Sequence, residues 1–121
     1  MTVFEAFPQA IRYWDLCKIE HDTGIGDYLS DVETSVRVII DEICNVAQAS
    51  ATQPAVAESK ALVYAHPADL PTVKLGEYLQ GYVWRDEDGM LYSIDEAANG
   101  YDQESAALEH VEFTLTPTEL A

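Results

Sequence analysis

Apolar residues along this chain fall mostly into short alternating runs set apart by Gly, Pro and acidic turns, a pattern that predicts half-buried strands. Only the start departs from it. Phe4, Phe7, Ile11 and Trp14 recur at helical spacing, and Pro8 fits a first helical turn, so residues 1–14 are expected to form a short helix or arm. From Asp15 to His21 the sequence alternates, with Cys17 and Ile19 opposite Lys18 and Glu20, and predicts a strand. HDTGIGDYLSD, ending at Asp31, reads as a Gly- and Asp-containing loop.

The stretch from Val32 to Ala47 carries two signals. Val32, Val36, Ile39, Ile40, Ile43 and Ala47 fit one helical face with Asp31 as a cap. Val32, Thr34, Val36, Val38, Ile39, Ile40, Ile43 and Val46 are all β-branched, stiff side chains that pack best on a pleated surface, and we read a long strand. ASATQPAVAESK then reads as the tip of a long hairpin or a mobile loop. Ala61 to Ala65 should be a core strand, ended by His66, Pro67 and Pro71.

After a turn at Lys74–Gly76, Tyr78, Tyr82 and Trp84 are expected on one side of an extended segment, with Leu79 and Val83 on the other, ending at Arg85. Asp86-Glu87-Asp88-Gly89 before MLYSI predicts a hairpin in which Gly89 takes the left-handed conformation. Asn99 to Leu108 reads as an exposed loop. Val111, Phe113 and Leu115 alternating with His110, Glu112 and Thr114 predict a last strand. The fold expected is mainly β: one domain over residues 1–121, a small antiparallel barrel or sandwich of about six strands with a short N-terminal helix.

Charge narrows the function classes. Against 22 acidic residues stand six basic ones, a net charge of −16, so duplex DNA is repelled and stable nucleic-acid binding is not expected. The same acidity suits a well-solvated surface, a surface that DNA slides past, or one that imitates DNA. No apolar run is long enough to span a bilayer and no leader pattern opens the chain, so synthesis and residence in the cytosol are expected, with no membrane partner.

The chemistry expected is sparse. His21, His66 and His110 lie on separate segments without zinc-like spacing, and Cys17 and Cys44 read as buried small hydrophobes. Asp22, Gly24 and Gly26 do not match the ligand offsets of a calcium loop. With no nucleophile elbow or phosphate-cradling loop, no catalytic, cofactor-binding or metal-binding residues are assigned. The aromatic row at Tyr78, Tyr82 and Trp84, with Tyr92, is assigned to the core rather than to sugar or base stacking.

Four segments together carry a family resemblance. DLCKIEHDTGIGDY (Asp15–Tyr28), SKALVYAHPADLPTVKLGEYL (Ser59–Leu79), WRDEDGMLYSID (Trp84–Asp95) and LEHVEFTL (Leu108–Leu115) resemble the strands and turns of small head-to-tail connector proteins of long-tailed bacteriophages, also called minor capsid, head-closure or stopper proteins. Glu77 stands where that family more often has Asp, and the basic residues usual after the middle strand are missing. The resemblance implies a non-enzymatic β-barrel that assembles into a ring at the virion neck, made in the host cytoplasm, with portal or adaptor and tail-completion proteins as partners. Contacts are expected from the loops Asp22–Asp31, Ala47–Ala57 and Asn99–Leu108, with Asp22, Asp27, Tyr28, Gln53, Pro54, Tyr101 and Asp102 as interface residues. A DNA-mimic inhibitor of a host nuclease is the alternative from another class.

Overall fold

A computed structural model of the chain describes residues 2–50, 53–102 and 107–118, with the side chains of residues 31–32, 42–50 and 53–59 outside the description. Six antiparallel strands close into a barrel: β1 (Arg12–Asp22), β2 (Gly26–Ser50), β3 (Gln53–Ala65), β4 (Tyr82–Arg85), β5 (Leu91–Tyr101) and β6 (Leu108–Thr118). The order around it is β1-β2-β3-β6-β5-β4, closing back on β1. Because every pair is antiparallel, the β1–β2 and β5–β6 turns lie at one end and the β2–β3 and β4–β5 turns at the other.

Alternation puts one face of each strand inside. Trp14 and Leu16, Val36 and Val38, Ala61, Val63 and Ala65, Trp84, Tyr92 and Ile94, and Val111, Phe113 and Leu115 form one buried cluster. Small residues on β3 share this interior with large ones on β4 and β6, so that side chains of the described residues fill it. Phe113 sits at its centre, edge-on to Trp84 at 5.2 Å and to Tyr78 at 5.5 Å. Trp14 stacks on Tyr92 at 5.4 Å. The aromatic row belongs to the core, as expected.

Residues 66–77 cross one end of the barrel to join β3 to β4, which the sheet order separates by β6 and β5. A 3-10 turn at Pro67–Asp69 begins the crossing, and the His66 ring caps it by accepting from the Ala68 N–H at 3.2 Å. Tyr78 closes it: its hydroxyl donates to the Thr72 carbonyl and accepts from the Thr72 N–H, while its ring is fully buried. These two bonds satisfy a phenol that burial would otherwise leave costly.

Several boundaries differ from those expected. The leading helix, α1, is only Val3–Ala6, followed by a 3-10 turn at Pro8–Ala10, and Trp14 belongs to β1. Pro8 has no N–H to continue the helical ladder, and the indole gains more inside the barrel than on a surface helix. The proposed loop Asp22–Asp31 shrinks to a turn at Thr23–Ile25, since Gly26, at φ 85°, starts β2 directly.

Tyr78 to Gly81 is not extended but one helical turn, α2, covering β5, and β4 is only four residues long. A row spaced two and four residues apart fits strand and helix alike over so short a stretch, and closure of the barrel decided it. The loop expected at Ala47–Ala57 is strand as far as Ser50 and again from Gln53. The loop at Asn99–Leu108 narrows likewise: β5 reaches Tyr101 and β6 starts at Leu108.

The long-strand reading of Val32–Ala47 holds. Pairing with β1 on one side and β3 on the other outweighs the helical periodicity. The Gly89 turn is also as expected: Gly89 has φ 85°, its N–H donates to the Asp86 carbonyl, and the Asp86 carboxylate accepts from the N–H groups of Asp88 and Met90.

Candidate interaction surface

The outer surface is built around carboxylates that hold the arginines. Asp69 grips Arg37 with both oxygens, at 2.7 and 3.0 Å, and also accepts from the Arg37 backbone N–H. This ties the barrel wall to the crossing segment. The Arg37 hydrogen bond holds the Asp69 carboxyl below its usual 3.8 although burial pushes the other way.

Arg85 donates to Asp15 at 3.0 Å and also pairs with Glu33, spanning β4, β1 and β2. Arg12 donates to Glu87 at 2.9 Å, and the second Glu87 oxygen accepts from the Trp14 indole. All three arginines of the chain are thus engaged by carboxylates. The 22 acidic residues are offset only by these arginines and three lysines, which leaves the net charge of −16.

The seven residues expected at an interface fall on three hairpins. Asp22, Asp27 and Tyr28 share the β1–β2 hairpin, where Asp22 pairs with Gly26 and Tyr28 with Glu20. Asp22 accepts from the Gly24 N–H at 2.7 Å and Asp27 pairs with His21, so both carboxylates shape the turn. At its tip Ile25 is 73% exposed.

Tyr101 and Asp102 lie where β5 leaves for β6, on the same end of the barrel as the β1–β2 turn. The Tyr101 hydroxyl accepts from Asn99 at 3.3 Å, its ring is 58% exposed, and the Asp102 N–H donates to the Ala107 carbonyl. Gln53 and Pro54 lie on the β3 backbone at the other end, and their side chains are outside the description. The structure therefore gathers five of the seven at one end and leaves two on the β2–β3 hairpin.

A second cluster escaped sequence reading. His110 lies over Gly100, its register partner, so closely that a Cβ on Gly100 would stand 2.2 Å from the imidazole. Tyr64 packs against the ring at 4.4 Å between centroids, and Nε2 is 3.1 Å from a Glu112 oxygen. Burial, helped by a hydrogen bond to Asp41, raises the Tyr64 hydroxyl to about 12. Glu109 accepts from the Val3 N–H at 3.0 Å and, with Phe4 packed on His66 at 4.8 Å, docks α1 against the barrel. Gly100 fell in the stretch read as the loop Asn99–Leu108, where a glycine is ordinary, so no local signal marked this contact.

Cys17 is buried and free, and burial raises its thiol above the usual range; the side chain of Cys44 lies outside the description. Among the described residues no three His, Cys, Asp or Glu side chains are placed to hold a metal ion, and no helix is long and apolar enough to cross a membrane. The chain matches no family model, no curated protein and no solved structure.

Proposed function

We propose that this chain is a structural, non-catalytic connector of a long-tailed bacteriophage, assembling into a ring at the head-to-tail junction between portal or adaptor and tail-completion proteins. The observation that carries the reading is a closed six-stranded barrel filled with side chains and carrying hairpins at both ends, the scaffold that the sequence resemblance implies.

A filled barrel has no passage of its own, so any DNA channel must form between copies. Carboxylates facing that channel repel phosphate, and arginines already held by Asp15, Glu33, Asp69 and Glu87 present little free cation for DNA to bind. DNA then passes without sticking. The end that carries Asp22, Asp27, Tyr28, Tyr101 and Asp102 is the surface offered to a protein neighbour.

The test is light scattering and negative-stain microscopy of the pure chain mixed with the portal and tail proteins encoded beside its gene. A ring or stable complex is expected. No assembly with either protein, together with capture of a nuclease from host lysate, would replace this reading with the DNA-mimic one.

A further inference from the structure

The longest uncharged run in the chain, Ile43 to Ala57, includes most of the described residues by which β2 and β3 extend past the other strands of the barrel. The last rung between β3 and β6 is Ala61–Leu115, and the last between β1 and β2 on that side is Arg12–Val38. Beyond them, Cys44 to Ser50 and Gln53 to Lys60 pair only with each other among the described residues. This two-stranded ribbon has rungs Cys44–Lys60, Val46–Glu58, Ala47–Ala57 and Ser50–Gln53. At about 3.3 Å per residue, Gln53–Lys60 span roughly 25 Å.

Both ribbon edges offer backbone N–H and C=O groups to another strand. Soluble proteins commonly guard such edges with charge. Here the charges sit only at the base, on Glu42, Glu58 and Lys60, and the rest of the ribbon has none. Two-stranded ribbons are also marginal alone in water and gain stability from a third strand.

Electrostatics selects the occupant. Copies that each carry −16 repel one another wherever their acidic surfaces meet, whereas the ribbon is the longest segment on which no such repulsion arises. A foreign strand is not required: turning one copy about an axis along the ribbon brings β3 of one copy beside β2 of the next. Because β2 and β3 are antiparallel within a ribbon, that junction is antiparallel too.

We propose that the ribbon joins copies of this chain edge to edge, β2 of one against β3 of the next, in a continuous antiparallel sheet. Such a head-to-tail contact closes into a ring when the rotation closes. The proposal rests on the self-assembly in the function proposed above and names the segment and the bonding that produce it.

The test is sedimentation of the pure, reduced chain over a wide concentration range, without portal or tail proteins. The parent should associate reversibly, and more strongly as added salt screens the acidic barrels. Gln48→Glu with Gln53→Glu puts like charge on the ribbon at nearly constant size and should weaken association about tenfold or more.

A second variant replaces residues 46–58 by Asn-Gly, joining the paired Asn45 and Ser59 through a two-residue turn, and should stay monomeric with unchanged near-ultraviolet dichroism of its tryptophans. A parent that is monomeric throughout, or variants that assemble as well as the parent, would overturn the proposal. Its failure is distinct from that of the connector reading: a chain that associates through its ribbon yet ignores portal and tail proteins keeps the ribbon and loses the connector, and a monomer that binds the portal does the reverse.

Discussion

The barrel and the ribbon are made from the same two strands, yet they are held by different means. Where β2 carries Val36 and Val38 it pairs with β1, the β3 ladder takes over at Val38, and both valines are buried in the shared core. Past Cys44 the same strand has one partner, and its order depends on a single ladder of backbone hydrogen bonds. Continuity of a strand therefore says little about its stability; what differs is how many neighbouring strands each part pairs with among the described residues. The barrel has a core of its own, and in the proposal above the ribbon is completed by contact.

The sharpest way to break this contrast is to remove the centre of the core. Phe113→Ala deletes a fully buried ring that packs against both Trp84 and Tyr78, and should cost about 3–5 kcal/mol in urea unfolding. That is a large share of what a domain of this size possesses. The paired Gln48→Glu and Gln53→Glu changes should alter the same unfolding free energy by less than about 0.5 kcal/mol, because both positions lie beyond the last rungs that β1 and β6 make with the ribbon strands. Similar losses in the two variants would show that ribbon and barrel unfold as one, and would end the distinction.

The division also explains what the sequence could reveal. Barrel segments were legible where burial left its mark: His110–Leu115 stands where alternation predicted a strand, and Ala61–Ala65 where an apolar run ended by His66 and Pro67 predicted one. Gly89 was legible because a local conformation demanded it. The hairpin around Asp22, Asp27 and Tyr28 was read as loop because Gly and Asp dominate it, although a turn of three residues suffices to reverse the chain.

Nothing local could expose the arginine clamps. Arg37 and Asp69 are 32 residues apart, and Arg12 and Glu87 are 75 apart, so each pair exists only once the barrel closes. A barrel or a sandwich was expected, but the means of closure was hidden, since four-residue β4 joins β1 to β5 with help from a helical turn that the aromatic spacing disguised as strand. Among the interface candidates, composition marked the hairpins but could not say which end of a barrel each would occupy.

A smaller effect sharpens the contrast on the barrel wall. Gly100→Ala places a methyl where the His110 imidazole lies, with Tyr64 and Glu112 limiting the ring's escape, and should cost about 1–3 kcal/mol. Removing the ring as well, in Gly100→Ala with His110→Ala, should cost less than the two single changes summed. The coupling from this double-mutant cycle measures contact directly. Additive losses would mean that the ring does not lie over the glycine.

The smallest expected effect is a pH step at the barrel's crossing segment, and its sign follows from His66. Burial, and secondarily the nearby Arg37, lowers this imidazole below its usual 6.5. The folded state thus prefers the neutral ring, which accepts from the Ala68 N–H and packs on Phe4; a protonated ring facing Ala68 could not accept that bond. Where the folded value is depressed, the unfolded chain takes up the proton first, so stability is whole above about 6.5 and declines as pH falls through the folded value.

Asp69 adds a second decline at lower pH: its carboxyl, held below 3.8 by Arg37, contributes above that value and loses its contribution as acid reaches the folded one. Both partners of that pair are partly exposed, so solvent screens it and its share is modest. Thermal unfolding followed from neutral pH downward should therefore weaken first through the histidine step. His66→Asn retains an acceptor for the Ala68 N–H but cannot titrate, and should remove the first decline while leaving the second. If the first decline persists in His66→Asn, the proton is taken up elsewhere, and the crossing segment is not where the barrel senses acid.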